Sequence, residues 1–376
     1  MLSAALVARP AMVDIAGLTG HRRAEIMCRM TERPSRARTS RRTARVRQPG
    51  FALPGIDAVP NLAELSGDPH ASDPYETAQV MTPPPSIVDD AAGVAPAATA
   101  TVADTEEAPA APSPFERPLP RFIAIANQKG GVGKTTTAVN LGACLGELGY
   151  RVLVADLDPQ GNASTGLGIN IRDLQASMYD VILNDLPVED CVEATAVRNL
   201  FVLPAALDLA GAEIELVPAF SREMRLRRAL EAVRDDYDFV LIDCPPSLGL
   251  LTVNGLAAAS EVMVPIQCEY YALEGLGQLL RNVQLVQRNL NPRLELSAMV
   301  LVMYDARTKL ADQVVHEVRD HFGDKVCGSI VPRTVRLSEA PSFGQPIITF
   351  DPTSRGSIAY RSLAVEVSGG APKRAG

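Results

Sequence analysis

The sequence is poor in the residues that build metal centres and disulfide frameworks. Its 376 residues include four histidines, which do not cluster with cysteines at metal-ligand spacing, so no zinc site is predicted. Its six cysteines contain no C-x-x-C pair, which also disfavours an iron–sulphur cluster. Cys144, Cys244 and Cys268 lie in apolar surroundings. The thiols are therefore interpreted as buried side chains of a protein from a reducing cytoplasm.

Long hydrophobic runs are also missing. No stretch approaches the roughly 18 to 20 uninterrupted apolar residues of a transmembrane helix. The apolar run in the first twenty residues is interrupted by Arg9, Pro10 and Asp14 and follows no basic segment, so a secretory signal is not predicted. After Val367 the chain ends in SGGAPKRAG, which offers no apolar helix face to a membrane surface. The sequence predicts a cytoplasmic protein without a membrane partner.

The composition changes near residue 120. Residues 1–120 are rich in Ala, Pro and Arg and show little sustained apolar periodicity, whereas the residues that follow alternate apolar strands with amphipathic stretches. This contrast predicts a disordered arm over 1–120, one globular domain over 121–368 and a flexible tail over 369–376.

The predicted arm has two halves of opposite charge. Residues 21–50 contain ten arginines and two acids, and residues 51–120 contain eleven acids and one arginine, Arg117. The basic half is either a contact for nucleic acid or another acidic surface, or a solvated tail. A start at Met27, Met30 or Met81 would shorten the arm. The sequence leaves these alternatives open.

One glycine-rich segment, residues 125–140, reads IANQKGGVGKTTTAVN. Lys129 to Thr135 form a shortened, lysine-first variant of the Walker A pattern. Gly130, Gly131 and Gly133 lack a β-carbon, so the backbone can turn through positive φ and bring N–H groups close to phosphate oxygens. An apolar strand precedes the loop and a helical pattern follows it. This context predicts a phosphate-binding loop.

Two lysines and a threonine give this loop its expected chemistry. Lys134 is predicted to place its charge on the β- and γ-phosphates, and the Thr135 hydroxyl suits a Mg²⁺ ion at the N-terminus of the following helix. Lys129 lies five residues earlier, where a single site has no obvious need of a second cation. It is either a group for a partner subunit or a solvated loop charge.

Acidic residues end two buried strands. Residues 151–158 read RVLVADLD, and this strand would bring Asp158 to the carboxyl edge of a parallel sheet, where doubly wound folds bind their ligands. Asp156 is either a helper of Asp158 or a strand-end residue bonded to nearby backbone. Phe239–Asp243 resembles a Walker B strand, whose aspartate would hold Mg²⁺ through water.

The segment KGGVGKTT resembles the deviant Walker A signature of the MinD/ParA class of P-loop ATPases, and the sequence looks like a ParA/Soj-type partition ATPase. The resemblance covers about two thirds of the chain, Arg121 to about Val367, and none of the arm. It extends through the segments AGAEIELV, QCEYYALEGL, DART, VPRTVRLSEAPS and DPTSRGS.

The resemblance implies a set of site residues. Lys129 would reach across a nucleotide-sandwich homodimer, Asp158 would orient the attacking water, and Pro332 would border the adenine. Thr334 stands where many relatives carry asparagine, which puts a base contact by that side chain in doubt. The implied catalytic residues are Lys129, Lys134 and Asp158; the metal residues are Thr135 and Asp243; the nucleotide-binding residues are Lys129, Gly130, Gly131, Val132, Gly133, Lys134, Thr135, Thr136 and Pro332.

DNA binding is the second implied activity. Arg307 and Arg336 match family positions that contact DNA without reading its sequence, and Arg333 and Arg281 are weaker additions. Each is otherwise an ordinary surface residue. The net charge of −8 argues against a uniformly basic surface but permits a local patch.

The implied function is an ATP-dependent, Mg²⁺-requiring partition ATPase of the nucleoid. Its ATP-bound dimer would hold non-specific DNA, and a ParB-type partner would stimulate a slow hydrolysis that releases the DNA. The alternative is a non-catalytic, ATP-gated scaffold or polar-positioning adaptor, which the presence of both Asp158 and Asp243 disfavours.

The order of apolar segments predicts an α/β, doubly wound, mostly parallel sheet with helices on both faces. The expected strands are Phe122–Ala126, 151–158, Leu200–Leu203, Phe239–Asp243, Val262–Ile266, Ala298–Met303, Val326–Val331 and Ile347–Phe350. The expected helices are Thr136–Leu148, Leu226–Arg234, Leu273–Asn289, Lys309–Phe322 and Ile358–Val367.

Overall fold

The computed structural model describes residues 115, 117–269, 275–370 and 372. The predicted arm, apart from residues 115 and 117–120, and the predicted tail, apart from residues 369, 370 and 372, lie outside the described residues. So do the first two residues of the helix expected over Leu273–Asn289.

Within the described residues the strands form one eight-stranded sheet with the order β3-β4-β2-β5-β1-β6-β7-β8. Neighbouring strands are parallel except for the edge strand β3, which pairs antiparallel with β4. The strands are β1 Arg121–Ile125, β2 Val152–Asp156, β3 Glu193–Ala194, β4 Leu200–Leu203, β5 Phe239–Asp243, β6 Glu261–Gln267, β7 Glu295–Tyr304 and β8 Val326–Pro332. The predicted doubly wound, mostly parallel sheet is confirmed.

Helices connect the strands and cover the sheet. They are α1 Lys134–Leu148, α2 Asn162–Gly166, α3 Met178–Leu183, α4 Leu209–Glu215, α5 Arg225–Ala232, α6 Leu250–Ala258, α7 Leu276–Asn289, α8 Lys309–Phe322, α9 Val335–Glu339, α10 Ile347–Phe350 and α11 Arg355–Ser368. Short 3₁₀ helices occupy Val188–Asp190, Arg222–Met224, Arg234–Asp236, Gly323–Lys325 and Ala340–Phe343. No described helix is both long and apolar enough to cross a bilayer.

The central strands are buried on both faces. Phe122 and Ala124 of β1 pack into one hydrophobic cluster, while Ile123 and Ile125 of the same strand pack into the other. This alternation follows from the two-residue repeat of a strand whose faces are both covered by helices. The predicted cysteine environment is confirmed for the described thiols, which are free and buried: Cys144, Cys191, Cys244, Cys268 and Cys327.

One predicted strand is wrong. Ile347–Phe350 forms the short helix α10 instead of a ninth strand. Pro346 is the N-cap of this helix, with a φ of −62° that matches the value to which its ring restricts proline. The Ile347 N–H donates to Oδ1 of Asn140 on α1 at 2.7 Å, which holds this turn against the helix that follows the phosphate loop. The strand expected over 151–158 is also shorter, because it ends at Asp156.

Candidate functional site

The glycine-rich loop connects β1 to α1 in an open, left-handed path. Gly131 and Gly133 have φ values of +73° and +83°, which an L-residue with a β-carbon rarely adopts. No side chain caps the N-terminus of α1, so its first N–H groups stay available for an anion. Gly130 and Gly131 are exposed. The loop thus presents backbone donors to solvent at a helix N-terminus.

Asn127 fixes the start of this loop. Its side-chain Nδ2 donates to the carbonyl of Pro265 on β6 at 2.8 Å, and its Oδ1 accepts from the backbone N–H of Lys129 at 3.0 Å. The side chain is almost fully buried. The sequence analysis did not identify Asn127. A polar side chain between an apolar strand and a glycine-rich loop could have indicated a residue that anchors the loop.

Lys134 lies under the loop. Its side chain is 6% exposed, and its Nζ donates to the carbonyl of Lys129 at 3.3 Å. Burial lowers the pKa of Lys134, and the nearby Asp243, Cys244 and Asp158 oppose that shift. A buried ammonium with one backbone partner is suited to receive the oxygens of a phosphate chain.

Lys129 has a different environment. Its backbone joins Asn127 and Lys134 to the loop, while its half-buried side chain forms no ion pair within the described part of the chain. The two lysines of the motif therefore differ in environment: Lys134 is buried under the loop, and Lys129 forms no ion pair with the described residues.

Asp243 is a fully buried carboxylate beside the loop. It ends β5, in register with Ile125 of β1 and Asp156 of β2, and its relative exposure is 0%. Neither carboxylate oxygen has a regular hydrogen-bond partner among the described residues. Burial and the charge of Asp156 raise the pKa of Asp243 well above its usual value, and the Thr135 hydroxyl and Lys134 act in the opposite direction.

Asp156 is a structural carboxylate. Its Oδ2 accepts from the backbone N–H of Ser164 at 2.8 Å and from the Ser164 hydroxyl at 2.6 Å, and its Oδ1 accepts from the N–H of Asp158 at 3.2 Å. Burial raises the pKa of Asp156 to about 6, and the bonds from Ser164 lower it. These bonds fix the turn that carries Asp158.

Asp158 lies two residues beyond the end of β2, at the carboxyl edge of the sheet. Its Oδ1 accepts from the N–H of Gln160 at 3.0 Å, and its side chain is 7% exposed. Its charge raises the pKa of both Lys134 and Asp243, so Asp158 lies close enough to both residues to act on them electrostatically.

The residues around the loop fit a magnesium-bound nucleotide. A buried carboxylate without hydrogen bonds is costly unless a cation or its water shell compensates it. Oxygen groups are the ligands that Mg²⁺ prefers, and the Thr135 hydroxyl and Asp243 supply them beside a phosphate-binding helix N-terminus.

A cavity of about 360 Å³ lies on one side of the loop, lined by Gly133, Met303, Pro332, Thr334 and neighbouring residues. Met303 has a φ of +55°, an unusual conformation for a residue with a side chain, and its Cε lies 3.8 Å from a β-carbon built at Gly133. The Thr334 hydroxyl accepts from the Leu337 N–H and thereby caps α9. Its hydroxyl is therefore engaged in this cap, and both Thr334 and Pro332 line the cavity.

The two predicted DNA-contacting arginines are exposed at the same edge of the sheet. Arg307 follows β7, is 87% exposed and pairs with Asp305 at 2.6 Å. Arg336 on α9 is 58% exposed and pairs with Glu339 at 3.1 Å and Asp351 at 3.3 Å. A backbone bond from Arg333 to Tyr304 joins the two segments at 2.9 Å. Arg281 lies apart from them on α7.

The parallel sheet, the glycine-rich loop at a free helix N-terminus and the buried lysine and aspartate define a P-loop nucleotide-binding protein. The comparisons agree with that class. Residues 120–296 match the family described as an AAA domain. A solved structure of cobyrinic acid a,c-diamide synthase from Mycobacterium smegmatis with bound ADP and magnesium is 43% identical, covers 65% of this chain and 92% of its own, and has a TM-score of 0.58.

Comparison with curated relatives identifies the family within this class of nucleotide-binding proteins. The sporulation initiation inhibitor protein Soj of Bacillus subtilis is 60% identical over 248 residues, which are 66% of this chain and 98% of that protein. The chromosome partitioning protein ParA of Caulobacter vibrioides is 55% identical over 249 residues, 66% of this chain and 93% of its own. The chain therefore belongs to the ParA/Soj family of partition ATPases.

Proposed function

We propose that this protein is a DNA-partition ATPase in which ATP closes a homodimer that holds non-specific DNA. The observation that carries the proposal is the buried Asp243, whose oxygens lack regular hydrogen bonds, beside the phosphate loop and the buried Lys134. This arrangement suits a nucleotide with its magnesium ion, and relatives named Soj and ParA supply the cellular context.

The nucleotide is ATP, held through the backbone of residues 130–133 and the side chain of Lys134. Thr136 lines the cavity beside Pro332, where the adenosine would lie. The Thr135 hydroxyl and, through water, Asp243 would hold Mg²⁺. Bound there, the ion would supply positive charge to the phosphate oxygens.

Hydrolysis rests on Asp158. This carboxylate lies at the end of a turn held by Asp156, so it is positioned to orient a water molecule towards the γ-phosphate. Asp156 itself accepts three hydrogen bonds and supports the turn from behind. Hydrolysis is slow until a partner completes the site.

Lys129 makes closure depend on ATP. Its ammonium has no ion-pair partner within the described part of its own subunit. We assign it to the phosphates of the facing subunit, where it would neutralise charge that ADP lacks. A ligand that binds the closed dimer more tightly than the open monomer shifts the population towards closure by that difference in affinity.

DNA binding follows from closure. Arg307 and Arg336 are exposed but already paired with carboxylates of their own chain. DNA phosphates must compete with those pairs, so a single subunit binds weakly and two joined sets of arginines bind more tightly. A ParB-type protein would stimulate hydrolysis, and the ADP-bound dimer would open and release the nucleoid DNA in the cytoplasm.

Binding to a non-specific duplex, with ATP, ADP or no nucleotide at two salt concentrations, tests this cycle. We expect binding that requires ATP, weakens steeply with salt and is lost in Arg307→Ala. Arg198→Ala, which removes an exposed arginine just before β4 at the opposite, amino edge of the sheet, is the matched control. Binding that ignores the nucleotide would contradict the proposal.

A second measurement isolates the dimer. In an Asp158→Ala protein, which cannot hydrolyse ATP under this proposal, the dimer fraction should be high with ATP and low with ADP. Equal dimer fractions with the two nucleotides would reject the role given to Lys129.

A further inference from the structure

An arginine-lined pocket lies at the amino edge of the sheet, opposite the edge that carries the phosphate loop. Its volume is about 60 Å³, and its lining includes Phe122, Arg227, Glu231, Arg234, Ser260 and Arg293. Because a single water molecule needs roughly 10 to 15 Å³ of such space, the pocket holds a few waters or a carboxylate group rather than a nucleotide. This feature is called the arginine pocket below.

The arginine pocket has more positive than negative charge. Arg234 pairs with Glu231 at 3.3 Å, and Arg227 makes only a long bond of 3.5 Å to the carbonyl of Leu290. Arg293 is exposed and forms no ion pair with another described residue. Asp235 and Asp236 directly follow Arg234 in the same 3₁₀ helix and are exposed. Two of the three guanidinium groups in the lining therefore lack a carboxylate partner among the described residues.

The chain enters the domain beside this pocket. Arg117 pairs with Glu261 at 3.6 Å and with Glu295, which stands two residues after Arg293. The Glu295 N–H donates to the carbonyl of Ser260 at 3.1 Å, and Ser260 itself lines the pocket. Phe115, two residues before Arg117, is buried in the hydrophobic cluster that contains Ile123, whereas Phe122 of the pocket belongs to the cluster on the other face of the sheet. The chain that precedes Phe115 is therefore covalently tethered to this part of the domain.

The sequence before Arg117 supplies the complementary charge. Residues 89–107 contain five acids and no basic residue; the acids are Asp89, Asp90, Asp104, Glu106 and Glu107. Glu107 lies ten residues before Arg117, and ten residues of extended chain reach about 33 Å. The acids are thus tethered within reach of the arginine pocket at the high effective concentration of a short linker.

We propose that the acidic segment 89–107 docks in the arginine pocket of its own chain. A carboxylate there would form charge-assisted bonds with Arg227 and Arg293. Docking would also hold the acids at the edge of the sheet opposite Arg307 and Arg336, where they cannot compete with DNA phosphates. The docking itself does not depend on the ATPase or DNA-binding roles proposed above.

Zero-length carbodiimide coupling of the full chain tests the contact. Arg293→Lys keeps the positive charge and introduces an amine that can be joined to a carboxylate that touches it. Mass spectrometry of the monomer band should locate cross-links from position 293 to residues 89–107. Arg172→Lys, an exposed arginine outside the pocket, is the control.

We expect the yield of these cross-links to be about fivefold higher at position 293 than at position 172, which corresponds to about 1 kcal/mol for one exposed charge pair. The yield should fall between 0.1 M and 1 M salt, as the screening length shortens from about 10 to about 3 Å. It should also fall in the Asp104→Asn, Glu106→Gln, Glu107→Gln variant.

Equal yields at the two positions would overturn the proposal, as would cross-links from position 293 to Glu231 alone. Cross-links to residues 89–107 that occur only in a dimer band would overturn docking within one chain. Nucleotide and DNA are absent from the experiment, so none of these outcomes bears on the proposed ATPase cycle.

Discussion

At the scale of single residues, the buried carboxylates set the chemistry of the nucleotide site. Asp156 and Asp243 occupy equivalent positions on adjacent strands and are both fully buried, yet only Asp156 has a full set of donors. This difference in hydrogen bonding indicates a supporting role for Asp156 and leaves the Asp243 carboxylate available for a cation. The sequence assigned Asp243 to Mg²⁺ but left Asp156 as either a helper of Asp158 or a strand-end residue, because its donor Ser164 is eight residues away along the chain.

Ser164→Ala should destabilise the protein more at pH 8 than at pH 5.5. The hydroxyl donates to Asp156 and accepts from the Ala205 N–H, so its loss leaves both partners short of a bond. A bond to a charged group contributes about 1.5 to 3 kcal/mol and a neutral one about 1 kcal/mol. Asp156 is charged above its folded pKa of about 6 and mostly protonated below it. Urea unfolding at the two pH values measures the difference.

The sign of this pH dependence follows from the linkage between protonation of Asp156 and folding. The folded pKa of Asp156 is raised above its unfolded value of 3.8, so the contribution of this group favours the folded state at acidic pH and is lost as pH rises towards 6. Removing the Ser164 hydroxyl raises the folded pKa further and enlarges the loss at high pH. Ser297→Ala is the control, because its hydroxyl donates to the Val262 carbonyl and faces no titrating group in that bond. An equal decrease in the free energy of unfolding at both pH values would contradict the role given to Asp156.

The two lysines of the phosphate loop should separate nucleotide binding from dimer formation. Lys134→Ala should weaken ATP binding to the monomer by about 10- to 150-fold, the equivalent of 1.5 to 3 kcal/mol for a bond to a charged group. Lys129→Ala should leave monomer affinity within a few-fold and abolish the ATP-dependent dimer. Fluorescent-nucleotide titration and sedimentation measure the two properties. Equal effects of both changes on monomer affinity would show that Lys129 serves its own subunit.

At the scale of secondary structure, close packing between α6 and β5 should make Gly255 intolerant of a methyl group. A β-carbon there would lie 2.9 Å from Cys244 Sγ and 3.2 Å from Leu157, next to the site aspartates. Overpacking costs about 1 to 3 kcal/mol, which exceeds the gain of about 1 kcal/mol that alanine brings to a helix. Gly255→Ala should therefore lower the free energy of unfolding by up to about 2 kcal/mol, measured by urea titration.

Gly211→Ala on α4 is the matched control. Its β-carbon would meet only the carboxylate end of Glu215, at 3.1 Å, and that flexible side chain can move away. Helix propensity then dominates, and this substitution should stabilise the protein by up to about 1 kcal/mol. If both variants lost stability equally, helix context rather than packing against β5 would be the cause.

The secondary-structure elements differ in how well the sequence predicts them. The strands that flank the site were predictable because each is a buried apolar run that ends in a loop or an acid, as in Phe239–Asp243. Ile347–Phe350 was not, because four apolar residues fit a strand and a helix turn equally well. The contact that decides it, from the Ile347 N–H to Asn140, joins residues 207 positions apart. The anchoring of the loop by Asn127 depends in the same way on the distant Pro265.

At the scale of the whole molecule, the catalytic domain should function without the chain that precedes it. The part of the chain similar to Soj corresponds to 98% of that protein's length, so Soj has almost nothing that corresponds to the first 120 residues of this chain. Arg121 on the first strand bonds to Glu261 on β6 at 2.6 Å and to the carbonyl of Val367 on the last described helix at 2.6 Å. Both partners lie within the described domain.

Deleting residues 1–114 should therefore leave ATP affinity and the ATP-dependent dimer within about twofold of the full chain, a change below the roughly 0.5 kcal/mol typical of surface alterations. Fluorescent-nucleotide binding and sedimentation of both proteins, at matched concentration, measure this. The deletion keeps Arg117, so its pairs with Glu261 and Glu295 persist. An adaptor that acts through its arm would instead lose its partner, and loss of nucleotide binding would show that the arm forms part of the site.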